Sequence, residues 1–203
     1  MPYHPPNISA HYEGGVGIHL APADTSALGE LLSDESFTKY FPEWWSDFAS
    51  EPEGLQEHVL ANPDYAAWGV HFLNEGMAKK LVGIAGYFRV AQAPLSFTYL
   101  SPDARRSSGV TASRGYAGTE VVRIVIADMF VRQGLLELGA YVNRSNDRSL
   151  AMIERLGMGE DTNHTSAKTR LFKRKRPETA GGSLITMIQA LGANAILSAD
   201  YTS

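Results

Sequence analysis

The chain has 203 residues, of which 44% are hydrophobic and 20% are charged, the composition of a globular protein that can bury a substantial core. A formal net charge of −4 is not that of a general nucleic-acid binder, and the lack of cysteine excludes disulfides, thiolate nucleophiles and cysteine-ligated metals. No apolar run reaches the ~18 residues that span a bilayer, and the N-terminus does not resemble a signal peptide. We therefore expect a cytoplasmic protein without a membrane partner.

The first hundred residues predict strands separated by helical stretches. Residues 1–15 carry proline and glycine and are expected to form a loose segment before the domain. Leucine spacing predicts a helix over 25–33, and a second helix is expected over 53–61. Alternating apolar residues predict four strands, over 16–20, 67–73, 81–90 and 95–100.

A long amphipathic helix is predicted over residues 119–133. Its apolar side is formed by Val122, Ile126, Met129 and Phe130, which recur at helical spacing. This pattern is typical of a helix with one buried face and one face in solvent.

The same helix has clear start and stop signals. Thr119 is the expected N-cap, and Gly134 stands where a left-handed C-cap glycine is common. Just before the helix, Gly115, Ala117 and Gly118 keep bulky side chains away from the backbone. The N–H groups of this loop and of the first helical turn are suited to binding a pyrophosphate, although a flexible turn before a core helix has the same composition.

A shorter helix follows a predicted strand over 135–142. Ser145 or Asn146 caps this helix, and Gly157 ends it. Its apolar side is formed by Leu150, Ile153 and Leu156. With a last strand over 169–175, the order of elements indicates an α/β fold with one mixed, mostly antiparallel sheet.

Two motifs in this order resemble the GNAT acyltransferases, in particular the branch of ribosomal-protein alanine N-acetyltransferases. The first is the Arg-Gly-Tyr-Ala-Gly-Thr-Glu loop and helix at 114–120. The second is Asn146 with Ser149, at the start of a helix that ends in Leu-Gly-Met at 156–158. The resemblance covers residues 16–176 and implies a GNAT domain whose central sheet splays between two neighbouring strands.

The resemblance implies that acetyl-CoA is the cosubstrate, that no metal takes part and that a primary amine attacks the thioester directly. The pantetheine arm would pair with the strand before the loop, and the pyrophosphate would lie on the loop and the first helical turn. The residues implied to bind the cosubstrate are Leu100, Ser101, Arg114, Gly115, Tyr116, Ala117, Gly118, Thr119 and Asn146. The acceptor, a peptide or protein N-terminus or a small-molecule amine, stays open.

Ser149 is implied as the catalytic acid or as the group that orients the leaving sulfur, and Tyr99 is the second candidate. Each also has an ordinary interpretation, as a first-turn helix serine and as a packed strand tyrosine. Ser96 stands where related enzymes often have a glutamate base, so a water or another acidic group would replace it. The acidic candidates are Glu43, Asp47 and Glu53, close in sequence to the aromatic residues Phe41, Trp44 and Trp45.

Two departures from the family pattern raise an alternative interpretation. Residues 102–113 look inserted, and Gly118 adds one residue to the commoner Ala-Thr-Glu sequence. The alternative is a catalytically weakened GNAT-like binding module with an altered loop for coenzyme A.

Two features lie outside the motifs. The basic residues 173–176 would suit a nuclear or nucleic-acid role, although they also fit the charged outer end of the last strand. Residues 177–203 are predicted as a C-terminal extension with an apolar helix, whose apolar face needs cover from the domain itself or from a second copy in a homodimer.

Overall fold

The structure, a computed structural model, describes residues 5–13, 16–24, 65–73, 80–89, 94–101, 117–164, 166–178, 181–193 and 195–202. The helices predicted over 25–33 and 53–61 lie outside these ranges. None of the helices in the described part of the chain has both the length and the hydropathy that crossing a bilayer demands.

The described residues form nine strands in a single sheet. The strands are β1 (Asn7–Tyr12), β2 (Val16–Pro22), β3 (Tyr65–Leu73), β4 (Lys80–Arg89), β5 (Pro94–Leu100), β6 (Glu137–Asn143), β7 (Gly159–Asp161), β8 (Thr169–Lys175) and β9 (Ile196–Thr202). Their spatial order is β7-β8-β6-β5-β4-β3-β2-β1-β9. Neighbouring strands are antiparallel except β5 and β6, which are parallel. The predicted α/β class with a mixed, mostly antiparallel sheet is confirmed.

The described part of the chain contains three helices. They are α1 (Ala117–Val131), α2 (Asp147–Arg155) and α3 (Leu184–Ala190), and a 3-10 turn spans Thr162–His164. Gly134 and Gly157 follow α1 and α2 with φ angles of 64° and 60°. Only glycine adopts this left-handed conformation without strain, so both predicted helix ends are confirmed.

The prediction of an amphipathic helix is wrong for α1. All residues from Thr119 to Phe130 are buried, and these include the charged residues Glu120, Arg123 and Asp128. The sheet covers one side of α1 and α3 packs against another, so α1 is a core helix with no solvent face. Thr119 is not the N-cap either, because the helix begins at Ala117.

Both termini of the chain take part in the sheet, which the sequence patterns did not indicate. The segment expected to be loose contains β1, which pairs with β2 on one side and with β9 on the other. Ile8, Ala10 and Tyr12 of β1 are buried in the core. The C-terminal extension forms the predicted helix α3, but it continues into strand β9.

The apolar face of α3 is covered within the chain. Leu184, Met187 and Ile188 are buried in the same core as α1. Cover for this face was expected from the domain itself or from a second copy in a homodimer, and the structure shows cover from the domain.

Candidate active site

The sheet opens between β5 and β6. These parallel strands share a single register pair, Leu95 with Gly139, and the Ser96 hydroxyl donates to the Gly139 carbonyl at 3.3 Å. Beyond this point the strands separate toward their carboxyl ends, where Tyr99, Leu100 and Ser101 lie on β5 and on the residue after it. Among the described residues, β5 and β6 therefore diverge, and we call the space between them the cleft; the residues predicted to bind pantetheine lie on its β5 side.

Helix α1 starts beside this cleft. A Cβ atom placed on Gly118 would lie 3.6 Å from Leu100 Cδ1 and 3.9 Å from Met152 Sδ, so the first turn of α1 lies between the end of β5 and helix α2. The Gly118 residue that looks inserted in the sequence is thus part of the first helical turn.

Thr119 lies in the same turn, with 1% of its surface exposed. Within the described residues, its buried hydroxyl has no hydrogen-bond partner. A buried hydroxyl without a partner has an energetic cost, which a bound anion at the positive end of the helix would relieve. Of the predicted pyrophosphate site, the structure describes Ala117, Gly118 and Thr119.

Helix α2 starts at the same end of the sheet, after β6. The Asn146 side-chain oxygen accepts the Ser149 backbone N–H at 3.1 Å, which confirms Asn146 as the N-cap. The alternative cap, Ser145, instead donates its hydroxyl to the Asn143 side chain at 2.8 Å. The Ser149 side chain is half-buried in the first turn of α2. Capping uses only the oxygen of the Asn146 side chain, so a role of this residue in binding the cosubstrate stays a prediction.

Tyr99 lies on the face of the sheet opposite α1. Leu100 belongs to the core that contains α1, and successive strand residues alternate between faces. The Tyr99 ring packs beside Phe97, with 6.2 Å between ring centroids. Burial raises the pKa of Tyr99 above its ordinary value, so the phenol keeps its proton across the physiological range. The structure therefore places the two catalytic candidates, Tyr99 and Ser149, on different sides of the cleft.

Tyr141 is an exposed aromatic residue beside the cleft that the sequence analysis did not single out. It lies on β6 two residues after Gly139, on the same face as Gly139 and Tyr99, and its side chain is 47% exposed. A large exposed aromatic residue in a strand beside the cleft was the available signal, but only the structure shows which face it occupies.

Ser96 does not act as a free polar group in the cleft. Its hydroxyl donates to the Gly139 carbonyl at the point where β5 and β6 meet. It thus closes the narrow end of the opening, and a base must come from elsewhere. The other candidates for the site lie outside the described residues: Arg114, Gly115, Tyr116, Glu43, Asp47, Glu53, Phe41, Trp44 and Trp45.

Two basic residues of β8, Lys173 and Arg174, are paired within the fold. Lys173 Nζ lies 2.8 Å from an Asp161 carboxylate oxygen and 3.6 Å from a Glu137 oxygen. Arg174 donates to the Leu156 and Gly157 carbonyls, both at 2.8 Å. These contacts fit the interpretation of 173–176 as the charged end of a strand. Among the described residues, no group of three histidine or acidic side chains is arranged to hold a metal ion.

Comparisons with known proteins bear on the family and on the fold. A family model described as an acetyltransferase (GNAT) domain matches residues 18–159. A search of curated proteins finds no match.

Several solved structures share the fold. An acetyltransferase from Agrobacterium tumefaciens is 17% identical and has a TM-score of 0.53. The alignment covers 82% of this chain and 93% of the Agrobacterium chain. A spermidine N-acetyltransferase from Vibrio cholerae, solved with CoA and spermine, is 13% identical, with coverages of 78% and 95% and a TM-score of 0.57. A ribosomal-protein-S5-alanine acetyltransferase from Vibrio fischeri is 14% identical, with coverages of 84% and 97% and a TM-score of 0.52.

Proposed function

The chain belongs to the GNAT acetyltransferase family and is thus an acyltransferase; from this premise we propose that it transfers an acetyl group from acetyl-CoA to a primary amine. The finer assignment to the ribosomal-protein alanine N-acetyltransferase branch is part of the proposal. It is supported by the Asn146 and Ser149 motif. The fold is common to a ribosomal-protein-S5-alanine acetyltransferase and to a spermidine N-acetyltransferase, so both kinds of acceptor belong in the test.

The observation that carries the proposal is the cleft between β5 and β6, with two helix N-termini at its open end. Strands that share one register pair and then separate leave room for an extended chain such as pantetheine between them. The first turn of α1, with Gly118 and the buried Thr119 hydroxyl, suits the pyrophosphate at the end of that chain.

The reaction needs no covalent intermediate on the protein. The neutral amine nitrogen attacks the thioester carbonyl carbon, a C–N bond forms and the C–S bond breaks. The nitrogen loses a proton to a base or to water, and the coenzyme A sulfur leaves as a thiolate that takes up a proton. Ser149, in the first turn of α2, is the proposed donor to this sulfur, and holding both substrates in one cleft supplies much of the rate.

The acceptor is proposed to enter from the face opposite α1. Tyr99 and Tyr141 lie on that face, on either side of the cleft, and the exposed Tyr141 ring offers an apolar surface next to it. The protonated Tyr99 hydroxyl can donate to the carbonyl oxygen of the thioester or to the acceptor backbone. Donor and acceptor then meet from opposite sides, which is the geometry that direct transfer requires.

The test is release of the coenzyme A thiol, followed with a thiol reagent. The protein has no cysteine, so the reagent reports only coenzyme A. The acceptors would be a peptide with an N-terminal alanine, spermidine and a simple aryl-alkyl amine. Thiol release with one of them, together with acetyl-CoA binding at micromolar Kd (about 8 kcal/mol), supports the proposal.

Gly118→Glu and Gly118→Gln form a matched pair for this test. Both new side chains have the same size and enter the space beside Leu100 and Met152, but only the glutamate carries a negative charge toward the bound pyrophosphate. We expect Gly118→Glu to weaken acetyl-CoA binding at least about 10-fold more than Gly118→Gln does. No binding of millimolar acetyl-CoA by the unmodified protein would refute the proposed function.

A further inference from the structure

A buried arginine connects three helices just behind the candidate cosubstrate site. Arg123 lies on α1 one turn after Glu120, and only 8% of its surface is exposed. Its Nη1 group pairs with the Glu120 carboxylate, its Nε donates to the Leu191 carbonyl at 3.2 Å and its Nη2 donates to the Arg155 carbonyl at 3.4 Å. One side chain therefore contacts α1 and the residues that end α2 and α3.

The partners of Arg123 explain why a charge is tolerated there. Arg155 is the last residue of α2 and Leu191 is the C-cap of α3, and helix C-terminal carbonyls carry partial negative charge. The guanidinium, with five N–H donors in a fixed plane, suits one carboxylate and two such carbonyls at once. A lysine has the charge but not this geometry.

Glu120, the ionic partner of Arg123, sits directly after Thr119 in the first turns of α1. Burial raises the pKa of Glu120 above its ordinary value, while Arg123 opposes this shift. Burial and the nearby Glu120 also raise the pKa of Tyr12 on β1. The start of α1 is thus buried, and an unpaired charge there would be costly.

We propose that Arg123 is a positioning residue for acetyl-CoA binding: it holds the first turn of α1 against α2 and α3, and this makes the C-terminal α3–β9 unit a functional part of the cosubstrate site. The inference rests on the proposed function in taking acetyl-CoA as the ligand. The α3–β9 unit lies beyond residues 18–159, which the family model matches. In this proposal it acts on the site through its contact with Arg123.

A second link between α1 and the C-terminal unit provides the control. At the other end of α1, the Arg132 guanidinium lies 4.9 Å from the Tyr201 ring centroid on β9. Burial, with a smaller contribution from Asp128, raises the pKa of Tyr201. Tyr201→Phe keeps the ring beside Arg132 and removes only the hydroxyl near Asp128, about three turns away from Thr119. It should leave acetyl-CoA affinity unchanged.

The test compares Arg123→Met, Arg123→Lys and Tyr201→Phe by calorimetric titration with acetyl-CoA, at a temperature where each variant is folded. We expect Kd to rise about 10-fold or more in Arg123→Met, less in Arg123→Lys and less than about 2-fold in Tyr201→Phe. Should Arg123→Met fail to fold, Arg123→Lys, which keeps a cation beside Glu120, decides the question.

Hydrogen exchange of the C-terminal unit provides an independent readout. If α3 and the acetyl-CoA site are coupled, linkage requires acetyl-CoA to slow amide exchange in 184–202, and Arg123→Lys should reduce this protection. Binding and protection that are unchanged in both Arg123 variants would overturn this inference alone. Absence of acetyl-CoA binding by the unmodified protein would instead overturn the proposed function and this inference with it.

Discussion

Removing the Thr119 hydroxyl should have opposite effects on the stability of the free protein and on acetyl-CoA binding. Its hydroxyl is buried and, among the described residues, has no hydrogen-bond partner. Thr119→Val removes the hydroxyl at constant shape, so the free energy of unfolding of the free protein should stay equal or rise by roughly 1 kcal/mol. A hydrogen bond to a phosphate would be lost, so acetyl-CoA affinity should fall about 10- to 100-fold.

Urea unfolding and calorimetry on the same Thr119→Val samples separate the two effects. A variant that is less stable but binds acetyl-CoA normally would show that the hydroxyl has a structural partner and no contact with the cosubstrate.

Ser149 is the residue whose loss should affect the chemical step. Ser149→Ala removes the proposed donor to the leaving sulfur but keeps the backbone N–H that binds Asn146. We expect kcat to fall by roughly 100-fold, with acetyl-CoA Kd changed less than about 3-fold. Ser145→Ala is the control, because the Ser145 hydroxyl bonds only to Asn143 within the described contacts. Equal kcat values for the two variants would argue against Ser149 as the acid.

At the scale of elements, the narrow end of the cleft depends on one glycine. A Cβ atom on Gly139 would lie 3.1 Å from Leu95 Cδ2, from Leu171 Cδ1 and from the Phe172 carbonyl oxygen. The Phe172 carbonyl belongs to the backbone of β8 and cannot move freely. Gly139→Ala should therefore reduce the free energy of unfolding by about 1–3 kcal/mol. It should also weaken acetyl-CoA binding, because the only register pair between β5 and β6 shifts.

Gly159→Ala is the matched control on β7, where a Cβ atom would have no neighbour within 4 Å among the described residues. Its effect on urea unfolding should stay within about 0.5 kcal/mol. If Gly139→Ala and Gly159→Ala have the same stability and affinity, the close approach of β5 to β6 is not under steric constraint.

At the scale of the whole molecule, Asp161 contributes a pH-dependent part of the stability. Hydrogen bonds from Lys173, His164 and the Asn163 N–H lower the pKa of Asp161 to about 2. Its ordinary value is about 3.9, so the contribution is present above about pH 4 and is lost as the pH falls toward about 2. Asp161→Asn should lower the urea midpoint at pH 7, and the difference from the unmodified protein should shrink between about pH 4 and pH 2.

Glu160→Gln, which affects the separate pair with Arg170 on the same strands, is the control for Asp161→Asn. A midpoint difference for Asp161→Asn that is the same at about pH 7 and about pH 3 would mean that the Asp161 carboxylate does not stabilise the fold through its charge.

The sequence by itself determined many of the local elements, although not the terminal strands β1 and β9, and it determined the motifs. The strand predicted over 169–175 coincides with β8, Gly134 and Gly157 end their helices, and Asn146 caps α2. These features depend on alternation, on helical spacing or on contacts three or four residues apart, which a short stretch of sequence contains. The family resemblance followed from the same local motifs, and the matching family model confirms the family.

Only the tertiary structure decided how these elements are used. It buried the charged residues of α1, brought β9 beside β1, opened the cleft between β5 and β6 and placed Tyr141 at its rim. The contact of Arg123 with Leu191 joins residues 68 positions apart. Such pairings depend on which surfaces meet when the sheet assembles. The periodicity of a short stretch of sequence does not predict which residue will pair with a buried charge or which strand will lie beside another.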